Sequence, residues 1–284
     1  MNLVSERSPL CPSVVTDYQD DAAEHAVLRA IGAMQDHIGD QLTVDDLARA
    51  ALFSKFHFTR IFQRVTGVSP GRFLSALRLQ KAKELLISTP MKVADISVTV
   101  GYNSVGTFSS RFSRSVGMSP TTYRRHAGYA IDINPDTESR PSRVSNGRLN
   151  CNIDVEGPDD HMIIFMGVFP DRIPEGRPVR CAVLREPGSV RFDGLPLGQW
   201  YVLAQSVSTE LHGPIPEVDW EHRPVSVATS GPITVRPDSI MGVDLMLRPS
   251  RALDPPVLLA LLDARRYAME ELADRPVAEL AEAV

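Results

Sequence analysis

Residues 54–66 combine a buried apolar pattern with side chains that can hydrogen-bond to a polyanion. Phe58 and Phe62 recur at the spacing of one buried helix face, which leaves Thr59 and Arg60 on the opposite face. A guanidinium can donate two hydrogen bonds to the edge of guanine, and a hydroxyl can bond to a base or a phosphate. The pattern therefore predicts a helix whose exposed side can contact the major groove of DNA.

The same arrangement recurs about 50 residues further along the chain. Setting Phe62 against Phe112 also aligns Gly67 with Gly117, and a Ser-Pro pair follows two residues after each glycine. A repeat at a fixed period is much harder to obtain by chance than a single motif. The sequence thus predicts two helix-turn-helix units, with second helices at 54–66 and 104–116.

Short helices are predicted before each of these segments, and a longer helix between them. Thr43 is a favourable N-cap with Asp46 three residues on, and Gly101 permits the turn of the second unit. Residues 71–88 form the predicted spacer helix, which spans about 27 Å at ~1.5 Å per residue. Adjacent major grooves on one side of B-DNA lie ~34 Å apart. One chain could therefore place both units in neighbouring grooves.

Charge is distributed unevenly along the 284 residues. Residues 21–127 hold 14 Lys and Arg against 8 Asp and Glu, a net charge of +6, whereas residues 128–284 have a net charge of −9. The basic segment suits a phosphate backbone, and the acidic remainder requires another role. With three scattered cysteines and no apolar run long enough for a membrane span, we expect a cytoplasmic protein that needs no cofactor, metal or membrane.

The later part of the chain changes to short β-like runs separated by Pro and Gly. The predicted organisation has five parts: a flexible lead at 1–22, an all-α double helix-turn-helix domain at 23–127, a linker at 128–148, a β-sandwich domain at 149–250, and a C-terminal helix and tail at 251–284. Leu258, Leu261 and Leu262 lie close along the predicted last helix and could form a dimer contact.

The helical part resembles the DNA-binding domain of the AraC/XylS family of bacterial regulators. The resemblance rests on the following stretches: L-T-V-D-D-L-A at 42–48, S-K-F-H-F-T-R-I-F at 54–62, G-V-S-P-G-R-F at 67–73, R-L-Q-K-A-K-E-L-L at 78–86, V-A-D-I-S-V-T-V-G-Y at 93–102, and G-M-S-P-T-T-Y-R-R at 117–125. It implies a sequence-specific, DNA-binding transcription regulator without enzymatic activity. Most of the family carry this domain at the C-terminus, whereas here it comes first.

The resemblance also implies which residues contact DNA. The base-contacting residues would be Phe56, Thr59, Arg60, Val105, Gly106, Ser109 and Ser110. The phosphate-contacting residues would be Ser54, Lys55, Arg64, Arg72, Ser104, Arg111, Arg114, Arg124 and Arg125. Val105 and Gly106 stand where many members have polar side chains, and Ser110 stands where an arginine is common. We therefore expect more base discrimination from the first unit than from the second.

The β-rich part resembles the transthyretin-like, carboxypeptidase regulatory-like β-sandwich at residues 190–204 and 231–249. Its role could be effector sensing, dimerisation or contact with another protein. A small-molecule effector, a second copy of the chain and RNA polymerase thus remain candidate partners beside double-stranded DNA. In the alternative, this part is a metal-dependent or hydrolytic module, for which a Pro-rich loop offers carboxylates and imidazoles: His212, Glu217, Asp219, Glu221 and His222. A polar surface loop is the simpler interpretation of these residues.

Overall fold

The computed structural model describes residues 12–126, 147–157, 162–176, 178–208 and 225–258. The first of these stretches contains seven helices: α1 Pro12–Asp36, α2 Val44–Ala50, α3 Lys55–Thr66, α4 Pro70–Ser88, α5 Val93–Thr99, α6 Val105–Val116 and α7 Pro120–Arg125. The predicted all-α double helix-turn-helix architecture is thereby confirmed, with α2–α3 and α5–α6 as the two units. None of the described helices is long and apolar enough to cross a membrane.

The prediction of a flexible lead over residues 1–22 is wrong for its second half, because α1 begins at Pro12. Proline fits the first position of a helix, where its fixed φ is already helical and its missing N–H has no partner to lose. Among the α1 side chains that the structure describes, Ala23, Val27 and Ile31 are buried. The apolar pattern thus marks where the helix meets the core and not where it begins.

The two units share one hydrophobic core. Phe62 packs edge-on against Phe58 and Phe73, with ring centroids 5.5 and 5.4 Å apart. In the second unit Phe112 packs against Phe108 at 5.6 Å and Tyr123 at 5.5 Å. Offset and edge-to-face rings at this distance add stability beyond the area they bury. These aromatic side chains form the interior, as the spacing predicted.

The described residues of the later part form seven strands: β1 Gly147–Val155, β2 Met162–Phe169, β3 Arg180–Leu184, β4 Gly188–Leu195, β5 Gly198–Ser208, β6 Val225–Val235 and β7 Ile240–Pro249. Their hydrogen-bonded order is β3-β2-β5-β6-β7-β1-β4. Neighbours are antiparallel except β1 and β7, which run parallel. Arg180 of β3 donates from Nε to the Asp193 carbonyl and from Nη2 to the Gly194 carbonyl of β4, both at 3.1 Å. The two edges therefore meet, and the sheet is nearly closed; the predicted β-sandwich is not confirmed.

Strand β6 runs without interruption through Gly231 and Pro232, two residue types that usually interrupt a strand. The pairing with β5 skips at this point, from Val202 opposite Ser230 to Trp200 opposite Ile233. An irregularity of this kind tolerates proline, which has no N–H to donate to the ladder. The strand therefore continues through a sequence that usually ends one.

The end of the described chain packs against the helices. Leu253 and Leu258 are buried in the helical core, and Lys83 Nζ donates to the Leu258 carbonyl at 3.1 Å. Residues 255–258 are not helical, and the rest of the predicted C-terminal helix lies outside the described residues. A dimer contact through Leu258 is therefore wrong, since this side chain is fully buried in its own chain.

Two further predictions fall mostly or entirely outside the described residues. The predicted linker at 128–148 lies outside the described residues, except for Gly147 and Arg148, which belong to β1. The Pro-rich loop with His212 and its neighbouring carboxylates lies entirely outside the described residues.

Candidate nucleic-acid interface

The first turn of α3 presents the side chains that the sequence assigned to base contacts. Phe56 is 82% exposed and Arg60 is also exposed, whereas Phe58 and Phe62 on the other side of the helix are fully buried. Thr59 is half-buried, and its hydroxyl donates to the Lys55 carbonyl at 2.9 Å. The exposed face of α3 therefore combines an aromatic ring with a guanidinium, which suit a thymine methyl and a guanine edge respectively.

The first turn of α6 is smaller and less polar. Val105 is 40% exposed, and a side chain added at Gly106 would meet only the Ser104 hydroxyl, at 3.7 Å. Ser109 is half-buried and Ser110 is exposed. A helix face without bulky side chains permits close backbone approach but offers few hydrogen bonds to base edges.

The two N-caps before these helices differ. Ser104 accepts a hydrogen bond from the Thr107 backbone N–H, so its side chain caps α6 as predicted. Ser54 occupies the N-cap position of α3 with an extended backbone, but its side chain makes no capping hydrogen bond. The exposed Ser54 hydroxyl could therefore bond to a phosphate without uncapping α3.

Several predicted phosphate contacts already have partners in this chain. Lys55 Nζ lies 2.7 Å from an Asp45 carboxylate oxygen, and Arg72 Nη1 lies 2.6 Å from Asp171 Oδ2. Both ion pairs are substantially exposed, so water and salt weaken them. Arg111, Arg114 and Arg125 are exposed, as is Arg64 in the last turn of α3.

Arg124 has a structural role that the sequence did not predict. Its Nε donates to the Leu86 carbonyl at 2.9 Å, and its Nη2 lies 3.4 Å from the Thr89 carbonyl. These carbonyls belong to the C-terminal end of α4, where main-chain oxygens lack helical partners. The half-buried guanidinium therefore caps α4, and this corrects its assignment as a phosphate contact.

The turns inside the two units use different residues. In the second unit Gly101 has φ +85, in the left-handed region where glycine is favoured. In the first unit Leu52 takes that role with φ +62 and is 78% exposed. A leucine gives no sequence signal for a left-handed turn, so only the second turn was predictable from residue type.

The two units are also joined by polar contacts that carry no signal in the sequence. Gln41 Nε2 donates to Asn103 Oδ1 at 3.1 Å, and Arg78 Nε donates to the Ile38 carbonyl at 3.0 Å. Burial lowers the pKa of Arg78 from its ordinary value. The segment before α2 is thereby joined to the turn before α6 and to the middle of α4.

Comparison with known proteins bears on this geometry. Residues 47–126 match a family model described as a helix-turn-helix domain. Residues 47–126 are an AraC-type helix-turn-helix domain. The chain is similar to the lactose operon transcription activator of Staphylococcus xylosus, which is 32% identical over 123 residues, 43% of each chain. The melibiose operon regulatory protein of Escherichia coli (strain K12) is 30% identical over 111 residues, 38% of this chain and 37% of that protein.

A solved structure from Chromobacterium violaceum is also similar to part of this chain. It is described as a transcriptional regulator (AraC-type DNA-binding domain-containing proteins), and the match covers 38% of this chain and 96% of that chain, at 25% identity and a TM-score of 0.36. The chain spans less than half the length of the curated relatives that it matches. The family match and the names of these relatives support the predicted class, a DNA-binding transcription regulator.

The β-rich part offers no comparable site among its described residues. No group of three or more His, Cys, Asp or Glu is placed to hold a metal ion within the described ranges. Burial raises the pKa of the Cys151 thiol to about 11, so this cysteine stays protonated and behaves as a small core residue. Cys181 on β3 is half-buried.

Proposed function

We propose that this chain is a sequence-specific DNA-binding transcription regulator that inserts α3 and α6 into adjacent major grooves. The observation that carries the proposal is the repeated helix pair in residues 47–126, whose second helices expose their first turns and bury their opposite faces. Between the two pairs, α4 has 19 residues and is about 28 Å long. This length is close to the ~34 Å between successive major grooves.

Base contacts in this proposal come unequally from the two helices. Arg60 and Phe56 provide discrimination in the first groove, together with the oxygen of Thr59. In the second groove, small side chains let the α6 backbone approach the bases closely; these are Val105, Gly106, Ser109 and Ser110. The proposed DNA-binding unit is residues 23–127, because the buried side of α1 from Ala23 onward belongs to the same core.

Phosphate contacts set the position of the domain on the duplex. Ser54, Ser104, Arg64, Arg111, Arg114 and Arg125 are the proposed contacts. Lys55 joins them when the phosphate replaces Asp45 as its ion-pair partner, and Arg72 joins them while its Nη1 keeps the bond to Asp171. Such an exchange is inexpensive at exposed sites, because surface ion pairs are worth at most about 1 kcal/mol.

The β-rich region would couple DNA binding to a second signal. A small-molecule effector, a second copy of the chain and RNA polymerase are the candidate partners. The acidic charge of this part of the sequence disfavours contact with the phosphate backbone and so favours a role away from DNA.

The test begins with the full-length chain and a random-sequence duplex library. We expect enrichment of a defined site, with affinity that falls steeply as salt rises, because bound phosphates release counterions. Arg60→Ala should cost about 1–3 kcal/mol of discrimination at one base pair. Arg236→Ala is the matched control, since Arg236 is an exposed arginine near the β6–β7 turn. Absence of any duplex binding at low salt would refute the proposal.

A further inference from the structure

The connection between β2 and β3 contacts both helix-turn-helix units. We call residues Asp171–Gly176 the bridging segment. Asp171 pairs with Arg72 at the start of α4, 2.6 Å between Oδ2 and Nη1. The Arg172 guanidinium lies on Gly67 at the end of α3, so closely that a Cβ at Gly67 would overlap it. Arg172 Nε is buried there, without a hydrogen-bond partner in the described part of the chain.

The same segment enters the helical core and reaches the second unit. Ile173 is only 1% exposed and belongs to the core cluster that the seven helices form. Gly176 N–H donates to the Ser115 carbonyl at 3.4 Å, near the end of α6. Through four of its six residues, the bridging segment therefore contacts the end of α3, the start of α4 and the end of α6.

A second attachment lies elsewhere in the helical domain. There Gln41 joins the segment before α2 to Asn103, and Arg78 of α4 donates to the Ile38 carbonyl. The two units already share one core, and these polar contacts and the bridging segment restrain their relative orientation at two further, separate places. The bridging segment thus adds a restraint that α4 and its neighbours would lack on their own.

We propose that the bridging segment is a positioning element, which fixes the orientation of α3 relative to α6 and thereby the half-site spacing that the chain accepts. This inference rests on the proposed function. Each added base pair moves the second groove by ~3.4 Å and turns it by about 34°, given ~10.5 base pairs per ~34–36 Å turn. Because two linked contacts reinforce each other only when both fit, a rigid pair of helices should tolerate few spacings.

The experiment measures affinity across a spacing series. The duplex is the site that the full-length protein selects from a random library, with zero, one or two base pairs inserted between its halves or one removed. The variants are Arg172→Ala, Asp171→Asn and Ile173→Ala in the full chain. Arg236→Ala and Asp244→Asn are the matched controls, because both residues are exposed on the β-rich region away from the bridging segment.

We expect wild type and controls to lose at least about tenfold in affinity when two base pairs are inserted between the half-sites. This loss is only part of the affinity that is gained when two linked contacts form at the same time. Arg172→Ala and Ile173→Ala should make affinity depend less on half-site spacing. They should lower the affinity for the best spacing and reduce the difference in affinity between it and the other spacings. If Ile173→Ala does not fold, Arg172→Ala combined with Asp171→Asn decides the question.

The outcomes separate this inference from the proposed function. If wild type binds no duplex, the proposed function itself fails. If wild type binds all spacings with equal affinity, the positioning role is overturned. It is also overturned if the variants depend on spacing as steeply as wild type does. Variants that lose affinity equally at every spacing also overturn it, because that result reports a general loss of binding and not a change of orientation.

Discussion

The two helix-turn-helix units share a fold but differ in how they are capped and covered. Thr43 and Asp46 form a complete capping box at the start of α2, whereas Lys92 precedes α5 without a side-chain cap. Gly67 ends α3 beneath Arg172, whereas nothing lies within 4 Å of a Cβ placed on Gly117. The two units thus have similar interiors and different surfaces. The first unit has the exposed ring and guanidinium on α3 and the closer contact with the β-rich region.

The largest expected effect tests whether the units form one cooperative body. Phe62→Ala and Phe112→Ala should each lower the free energy of unfolding by about 3–5 kcal/mol, since each removes a fully buried ring from the shared core. Urea unfolding followed by far-ultraviolet circular dichroism measures this. Separate helical transitions for the two units in either variant would show that the core is not shared.

A smaller effect should separate the two helix ends. Gly67→Ala and Gly117→Ala both place a Cβ at positive φ, which costs about 1–2 kcal/mol. Only Gly67→Ala must also displace Arg172, so it should be the more destabilising in thermal unfolding. In an Arg172→Ala background the difference should shrink; a difference that persists would mean that Arg172 does not press on this turn.

The caps provide the next comparison. Thr43→Ala should cost about 1 kcal/mol, because Thr43 accepts from Asp46 N–H while the Asp46 carboxylate accepts from Thr43 N–H. Lys92→Ala at the equivalent position of α5 should change the free energy of unfolding little. Equal losses in chemical denaturation would contradict the difference in capping.

The smallest effect is a pH dependence of the same cap. Hydrogen bonds from the Thr43 side chain and backbone hold the pKa of Asp46 below its ordinary value of 3.8, with a further contribution from Arg49. The folded pKa is depressed, so the stabilisation is present above the ordinary value and is lost as pH falls through the folded one. Asp46→Asn should therefore be less stable than wild type at neutral pH and approach it near pH 3. A constant stability difference between pH 7 and pH 3 would refute this assignment.

Local sequence signals predicted most of the helical domain and much of the β-rich region. The spacing of Phe58 and Phe62 sets a buried face whatever surrounds it, and Thr43 marks a helix start on its own. Neither Leu52 at a left-handed turn nor Arg124 as the cap of α4 carries such a signal. Their roles depend on neighbours distant in sequence, as does the docking of Ile173 in a core that belongs to another region.

The central claim is that one chain occupies two successive major grooves. Methylation protection of guanine N7 on the selected duplex, with the full-length protein bound one chain per duplex, tests it most directly. We predict two protected clusters on one face of the helix, about 10–10.5 base pairs apart, and Arg60→Ala should weaken protection at one of them. A single cluster, or protection that requires two chains per site, would contradict the account.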